Sequence, residues 1–340
     1  MKLPSTFENL NPKQFETSWK SPSNIAFVKY WGKKGHQIPA NPSLSMTLKE
    51  CATKTKVIFT PSDSFEVDLF LDGVREEKFG LKIKNYLLSL IDLPWIKNNS
   101  IIIETHNTFP HGTGIASSAS GLSAFALCLT DYLFYLSGEN GDFFKIASHL
   151  SRLASGSACR SVYGGFTTWG QESDYFASPI HVHPELSELR DSILVIDESE
   201  KKVSSTSGHG RMAEHAFAKT RFLQANKNFD LMSSALTTGD VELMGQILES
   251  EALSLHAMMM TSPESYILLK PNTLTAIEII RAFRQETKLP LYFTLDAGPN
   301  LHLIYPAVHQ NKIQTFINNE LSPLSVKVIE DEKGEGPQRC

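Results

Sequence analysis

Along the first hundred residues, apolar and polar positions alternate in short runs, and that period of two marks half-buried strands. The stretch 24–31, Asn-Ile-Ala-Phe-Val-Lys-Tyr-Trp, has the β-branched and aromatic content of a strand. Residues 44–48 alternate cleanly, 55–60 continue a sheet, 65–70 run into the turn Leu71-Asp72-Gly73, and 100–104 form a further strand. A short helix is expected at 82–90. The period then changes: 122–136 is a long apolar segment of helical character, and 142–153 a second helix with Asp142 as its N-cap. Pro179, Pro184 and a polar acidic run place a boundary within 176–189. Beyond it the pattern predicts a strand at 192–196 and helices at 211–226, 240–258 and 273–286. Strands at 291–295 and 301–305, a helix around 313–317 and a last strand at 326–329 complete the chain. Strands and helices mix without a regular βαβ rhythm, so the fold class is α+β, in two domains divided as 1–185 and 186–340.

Composition narrows the function. Of 340 residues, 41% are apolar and 20% charged, the balance of an ordinary globular protein. Net charge is −5, from 32 Lys+Arg against 37 Asp+Glu, with no basic stripe, so no nucleic-acid partner is expected. An anionic ligand must then find local cations. Lys29 with Lys33 and Lys34, Arg160, and Lys201 with Lys202 are the candidates. The first residues carry no apolar leader, and Asp131 interrupts the one long apolar run, so neither secretion nor a membrane span is expected. Cys51, Cys128, Cys159 and Cys340 form no paired motif, which fits a reducing, cytoplasmic setting.

Two small-residue segments carry the candidate chemistry. In 109–121, Pro110, Gly112, Gly114, Ala116, Ser117 and Ser118 lead into the long helix. Such a loop presents backbone N–H groups and a helix N-terminus to phosphate, and a serine hydroxyl such as that of Ser118 can reach phosphate oxygens or Mg²⁺. No lysine follows the second glycine, so this is not the common P-loop; a Gly-rich turn before a Ser-capped helix is the alternative. The second segment, 154–170, is dense in serine and glycine around Arg160, whose planar fork suits a carboxylate or phosphate. Asp296 ends an apolar strand and is followed by Ala-Gly-Pro-Asn, which places it as a general base, or else as an Asx cap of the bend. Lys29, in an otherwise apolar strand, needs an anionic partner such as Asp296 unless its head reaches solvent. His181 and His183 share a strand face but lack a third metal ligand, and His106, His111, His209 and His215 read as packing or surface residues.

With these residues assembled, the chain resembles the diphosphomevalonate decarboxylase family of the GHMP kinase superfamily. The likeness rests on residues 22–33 with 41–48, on 107–121, on Ser155-Gly156-Ser157-Ala158-Cys159-Arg160 within 155–165, on 201–208, and on Asp296-Ala297-Gly298-Pro299-Asn300. It implies a ribosomal-protein-S5-domain-2-like N-terminal half that binds ATP, a ferredoxin-like C-terminal half, and an active site in the cleft between them. The implied reaction converts mevalonate 5-diphosphate, with ATP and Mg²⁺, to isopentenyl diphosphate, ADP, phosphate and CO₂. Within the resemblance, Asp296 deprotonates the 3-hydroxyl, Lys29 acts beside it, Arg160 and Asn24 hold the substrate carboxylate, and Ser118 serves the phosphates. Tyr30, Trp31, Gly32, Lys33, Ser155, Gly156, Ser157, Ala158, Cys159 and Thr206 match substrate-binding positions, and a homodimer is implied. Departures occur at Pro42, at His111-Gly112-Thr113-Gly114 and at Gly208-His209, where the family commonly has Gly-Met. They flank the phosphate end of the substrate, so a decarboxylase of mevalonate 5-phosphate, or a kinase that stops after phosphorylation, remains the alternative.

Overall fold

The computed structural model describes residues 1–109, 117–199 and 205–340, the side chains of 205–207 excepted. Its first unit is a mostly antiparallel sheet of strands β1 (Phe15–Val28), β2 (Ser43–Pro61), β3 (Glu66–Leu71), β4 (Val74–Arg75), β5 (Asn99–Asn107), β6 (Phe166–Trp169) and β7 (Ser178–Ile180). Helices α1 (Glu77–Ser89), α2 (Ser117–Ser137) and α3 (Phe143–Ala154) belong to this unit, with Asp142 accepting the Lys145 N–H at 3.0 Å as the N-cap of α3. The second unit is the antiparallel sheet β11-β8-β10-β9, formed by β8 (Leu189–Val195), β9 (Tyr292–Thr294), β10 (Leu301–Pro306) and β11 (Lys327–Glu332). Helices α4 (Ser205–Arg211), α5 (Ala218–Thr238), α6 (Val241–Met260), α7 (Pro271–Thr287) and α8 (Gln310–Phe316) complete it.

β1 shows why the site forms where it does. Its first residues alternate in burial, but from Ser21 onward every residue to Trp31 is buried. A two-sided burial needs a second layer, and it comes from the other unit: Ile25, Phe27, Val28, Leu44 and Met46 share a core with Ile193, Phe229, Met232 and Leu248. Register shifts between Pro22 and Asn24 and again between Ala26 and Val28 turn the strand as it enters that core. The seam between units therefore runs across the C-terminal end of β1. Asp331 of β11 strengthens it by accepting the N–H groups of Lys49, Glu50 and Cys51 at 2.8–2.9 Å.

The structure departs from the sequence expectations in several places. The strands expected at 44–48 and 55–60 are one long strand, β2. Lys29 lies just past the end of β1 rather than within a strand. The helix expected at 211–226 is displaced to α5, after the short α4 and a turn. The C-terminal strand β12 (Gln338–Arg339) returns to pair with β1, so the last residues join the first sheet rather than the second. By length and composition α2 does suffice to cross a membrane, against the expectation from Asp131. It is nonetheless largely buried, as a core helix is, and Asp131 accepts from Thr17 Oγ1 at 2.6 Å and Trp19 Nε1 at 2.9 Å.

Burial also sets an acid sensitivity. His149 of α3 is enclosed, with Arg152 beside it, and its pKa is pushed down to about 4 by burial first and that charge second. The unfolded chain binds a proton there near pH 6.5, so stability contributed by the neutral ring is lost as pH falls from about 6.5 through about 4. Each unit of that shift corresponds to about 1.4 kcal/mol. Denaturant titrations from pH 7 to 4 should show this slope in the parent chain and a shallower one in His149→Asn; equal slopes would contradict the assignment.

Candidate active site

Lys29 is fixed from three sides. Its backbone N–H donates to Glu251 Oε2 at 2.8 Å, its carbonyl accepts from Asn41 Nδ2 at 3.0 Å, and its ammonium reaches Asp296 Oδ1 at 2.9 Å. Glu251, from α6, is itself fully buried and pairs with Arg221 of α5, while Asn228, about two turns further along α5 on the same face, donates to its Oε1 at 2.7 Å. A carboxylate so placed holds the end of β1 against both helices. Removing it strands the Arg221 guanidinium in the interior, so Glu251→Gln should lower unfolding free energy by about 3–5 kcal/mol. A denaturation midpoint equal to that of the parent chain would rule this out.

Asp296 leaves β9 into the turn before β10. Gly298 N–H bonds the Asp296 carbonyl at 2.7 Å, and His256 Nε2 lies 3.0 Å from the same oxygen. Asn300 accepts the N–H groups of Ile196 and Asp197 at 2.8 and 3.0 Å, and Thr273 Oγ1 donates to the Pro299 carbonyl at 2.8 Å. The turn is thus anchored to β8 and α7, which fixes the direction of the acid. The side chain of Asp296 is 28% exposed and that of Lys29 only 2%, so the carboxylate is reachable and the ammonium is not.

Arg160 sits in the 3₁₀ turn Gly156–Val162 and is 3% exposed. Its Nε donates to Ser45 Oγ at 3.0 Å and to Asn24 Oδ1 at 3.3 Å, its Nη1 to Ser43 Oγ at 2.7 Å, and its Nη2 to Asn24 Oδ1 at 3.3 Å. Asn24 in turn donates to Ser161 Oγ at 2.7 Å. One N–H on each terminal nitrogen has no acceptor among the described residues, and no described carboxylate forms an ion pair with this guanidinium. Burial pushes both Lys29 and Arg160 below their ordinary values, while the charge of Asp296 pulls both back up. The three charges lie within electrostatic reach of one another.

An aromatic wall flanks them. Tyr30 and Trp31 are buried, with the His209 ring lying between them at centroid distances of 4.3 and 4.6 Å. Gly32 has φ +103°, and a Cβ there would meet Phe222 at 2.8 Å. Gly156 is equally constrained, since a Cβ would stand 2.8 Å from the Tyr30 hydroxyl. Lys33 is half-buried without an ion pair among the described residues. Burial, and then Lys82, lower its pKa.

Several sequence expectations change on this map. Ala158 and Cys159 have no exposed surface, so their side chains are core and only their backbone can face a ligand. Burial pushes the Cys159 thiol up to about 12. Ser155 and Ser157 remain half-buried on the same turn. His209, expected as a packing or surface residue, does pack, between Tyr30 and Trp31. His181 lies just past β7 and His183 caps the short turn Pro184–Leu186, with no metal-binding cluster among the described residues. Pro110, His111, Gly112, Thr113, Gly114, Ala116, Lys201 and Lys202 lie outside the described residues, as does the side chain of Thr206 on α4. Ser117 and Ser118 open α2, with Ser118 exposed. That helix is tied to the arginine turn through Ser123 Oγ, 2.7 Å from Ser21 Oγ, which donates to the Ser161 carbonyl at 3.1 Å.

Glu251, Arg221, Asn228, Ser43 and Ser45 were not singled out in the sequence. Nothing in the local pattern sets Glu251 apart from Glu249 two residues before it.

Comparison with known proteins extends this picture. Residues 21–179 match the family described as diphosphomevalonate decarboxylase-like N-terminal domain, and 192–337 match the mevalonate 5-diphosphate decarboxylase C-terminal domain. A diphosphomevalonate decarboxylase of Debaryomyces hansenii is 30% identical over 333 residues, covering 92% of this chain and 84% of the relative. The mevalonate diphosphate decarboxylase structure from Enterococcus faecalis aligns at 30% identity and TM-score 0.84, over 96% of this chain and 99% of that one. A Staphylococcus aureus counterpart aligns at 27% identity and TM-score 0.86, over 96% and 98%. A solved complex of MDDEF with MVAPP, AMPPCP and magnesium gives TM-score 0.85 at 30% identity, over 96% and 99%.

Proposed function

The chain belongs to the diphosphomevalonate decarboxylase family, and from that premise we propose that it converts mevalonate 5-diphosphate and ATP to isopentenyl diphosphate, ADP, phosphate and CO₂. One observation carries the reading: a buried arginine with two undirected N–H groups and no described carboxylate partner lies within reach of a reachable aspartate. A kinase that only phosphorylates an alcohol has no need of such a clamp. A decarboxylase does, because it must hold the departing carboxylate in register with the leaving group.

Asp296 takes the proton of the tertiary 3-hydroxyl as its oxygen bonds the terminal phosphorus of ATP and ADP departs. The C3–O bond then breaks with its electron pair leaving on phosphate, and positive charge develops on carbon. The bond to the carboxylate breaks next, its pair forming the new C=C bond as CO₂ leaves. Asn24 and Arg160 orient that carboxylate, and Ser43 and Ser45 orient Arg160. Lys29 fixes the direction of Asp296 and adds positive charge beside the oxygen that is being phosphorylated.

Ser118 fits the phosphate end, since it stands exposed one residue into a 21-residue helix whose N-terminal N–H groups favour anions. Its hydroxyl would hold Mg²⁺, which neutralises phosphoryl charge when bound. Pro110, Gly112, Gly114, Ala116 and Ser117 complete the proposed ATP loop. Tyr30, Trp31, Gly32, Lys33, Ser155, Gly156, Ser157 and Thr206 are proposed to line the substrate. A cytoplasmic setting belongs to the same reading, in keeping with the free thiols of Cys51, Cys128 and Cys159, and a homodimer is proposed from the family likeness alone.

Incubation with ATP, Mg²⁺ and either mevalonate 5-diphosphate or mevalonate 5-phosphate, following CO₂ and ADP, tests the proposal. Equal CO₂ and ADP, with the diphosphate preferred, is the expected result. ADP without CO₂ would leave only a kinase, and preference for the monophosphate would overturn the substrate.

A further inference from the structure

His209 is a polar group that the reaction above does not use, yet it occupies the centre of the aromatic wall. Its Nδ1 accepts the Gly32 N–H at 3.0 Å. A neutral imidazole that accepts at one nitrogen carries its proton on the other, so Nε2–H is a donor. No described residue accepts from it. Tyr30 and Trp31 hold the ring at centroid distances of 4.3 and 4.6 Å, tilted by 40° and 35°. Gly208 admits this packing, since a Cβ there would stand 2.6 Å from the Trp31 ring. The ring is therefore fixed in position, in tautomer and in the direction of its N–H.

Its charged surroundings are positive. Burial first, and then the charges of Lys33 and Arg160, push its pKa down to about 3, so it stays neutral at physiological pH. A neutral donor within electrostatic reach of two cations, beside the proposed substrate site, is complementary to an oxygen with negative charge. The clamp end of the cleft is taken by the substrate carboxylate in the proposed reaction. The end lined by Lys33 then receives the phosphates.

We infer that His209 is a specificity-determining residue that donates its Nε2–H to a phosphate oxygen at the 5-end of the substrate. This rests on the proposed decarboxylase reading, and it names which side chain distinguishes a longer phosphate chain from a shorter one. The donor is pre-oriented, so little freedom is lost when the bond forms.

Calorimetric titration with mevalonate 5-diphosphate and with mevalonate 5-phosphate tests it in the parent chain, His209→Phe and His209→Gln. Phenylalanine keeps a ring between Tyr30 and Trp31 and removes the donor; glutamine keeps an N–H of similar reach. His209→Phe should weaken diphosphate binding by about tenfold to a hundredfold and monophosphate binding by less. His209→Gln should bind the diphosphate within about threefold of the parent chain. Unchanged diphosphate affinity in His209→Phe, or equal losses in both variants, would overturn the assignment in favour of a steric wedge. If His209→Phe does not fold, a loss above about tenfold in folded His209→Gln overturns it alone. CO₂ release by the parent chain is scored separately, so failure of the decarboxylase reading is distinguishable from failure of this one.

Discussion

Asp296→Asn should lower CO₂ release by about 10²–10⁴-fold while mevalonate 5-diphosphate still binds. The substitution keeps the shape of the side chain and its place in the turn, which is set by backbone and by Asn300 and Thr273 rather than by the acid. What it removes is the group proposed to take the hydroxyl proton. It also leaves the Lys29 ammonium, 2% exposed, facing a neutral amide in place of a carboxylate 2.9 Å away. Stability should therefore fall as well, so circular dichroism and a denaturation curve must accompany the kinetics. A folded variant with a near-normal rate would remove Asp296 from the chemistry. A folded variant whose ADP release and CO₂ release fall together would place the loss at phosphorylation, where the base acts.

Arg160→Lys is expected to have the second-largest effect, a fall in kcat/KM of about 10²-fold or more. Three features of the fork are used by the protein itself: Nε and Nη2 are bonded to Asn24 and Nη1 to Ser43. A lysine offers one nitrogen and cannot hold these partners while presenting two parallel N–H groups to a carboxylate. Asn24 and Ser43 would then be left incompletely bonded in the interior, where such groups are destabilising. Binding should suffer alongside the rate, because the clamp acts on the ground state and on the departing CO₂ alike. Unchanged kinetics in a folded variant would withdraw the clamp from Arg160. The contrast between the two variants is informative: the aspartate change should spare affinity, and the arginine change should not.

The sequence exposed the parts of this site that are locally unusual. Asp296 follows a short apolar strand and precedes Gly298-Pro299, which read as a turn. Arg160 interrupts a run of small residues, and Lys29 breaks an apolar stretch, so the need of a buried ammonium for an anion could be argued before any fold was known. The structure supplies that anion 267 positions away along the chain. Supporting residues were invisible for the opposite reason. Glu251 looks like any helical acid, and only the packing of α5 and α6 against the end of β1 shows that it holds Lys29 and Arg221. His209 was read as a packing or surface residue, and it does pack, but its ring partners Tyr30 and Trp31 and the Gly32 N–H, 177 positions away, could not be foreseen from its neighbours in sequence.

The same logic accounts for the fold. Alternation located β2, β3 and β5, but at 44–48 the polar positions Ser45 and Thr47 are as buried as their apolar neighbours, so the half-buried face expected there is covered on both sides. The buried run from Ser21 to Trp31 has no such period, since two layers cover it, and the end of β1 was accordingly placed too late. Short elements joined by turns, such as α4 and the residues leading to α5, gave a single blurred helix in the sequence. The return of β12 to β1 could not be seen, as two residues of strand carry no pattern.

The oxygen of the tertiary alcohol is proposed to accept the phosphoryl group and to leave with it, under the control of Asp296, Lys29 and Arg160. Mevalonate 5-diphosphate labelled with oxygen-18 at the 3-hydroxyl tests this directly when turned over with unlabelled ATP. Inorganic phosphate carrying one labelled oxygen for each CO₂ released is the expected result. Unlabelled phosphate, with the heavy oxygen appearing in water, would contradict it.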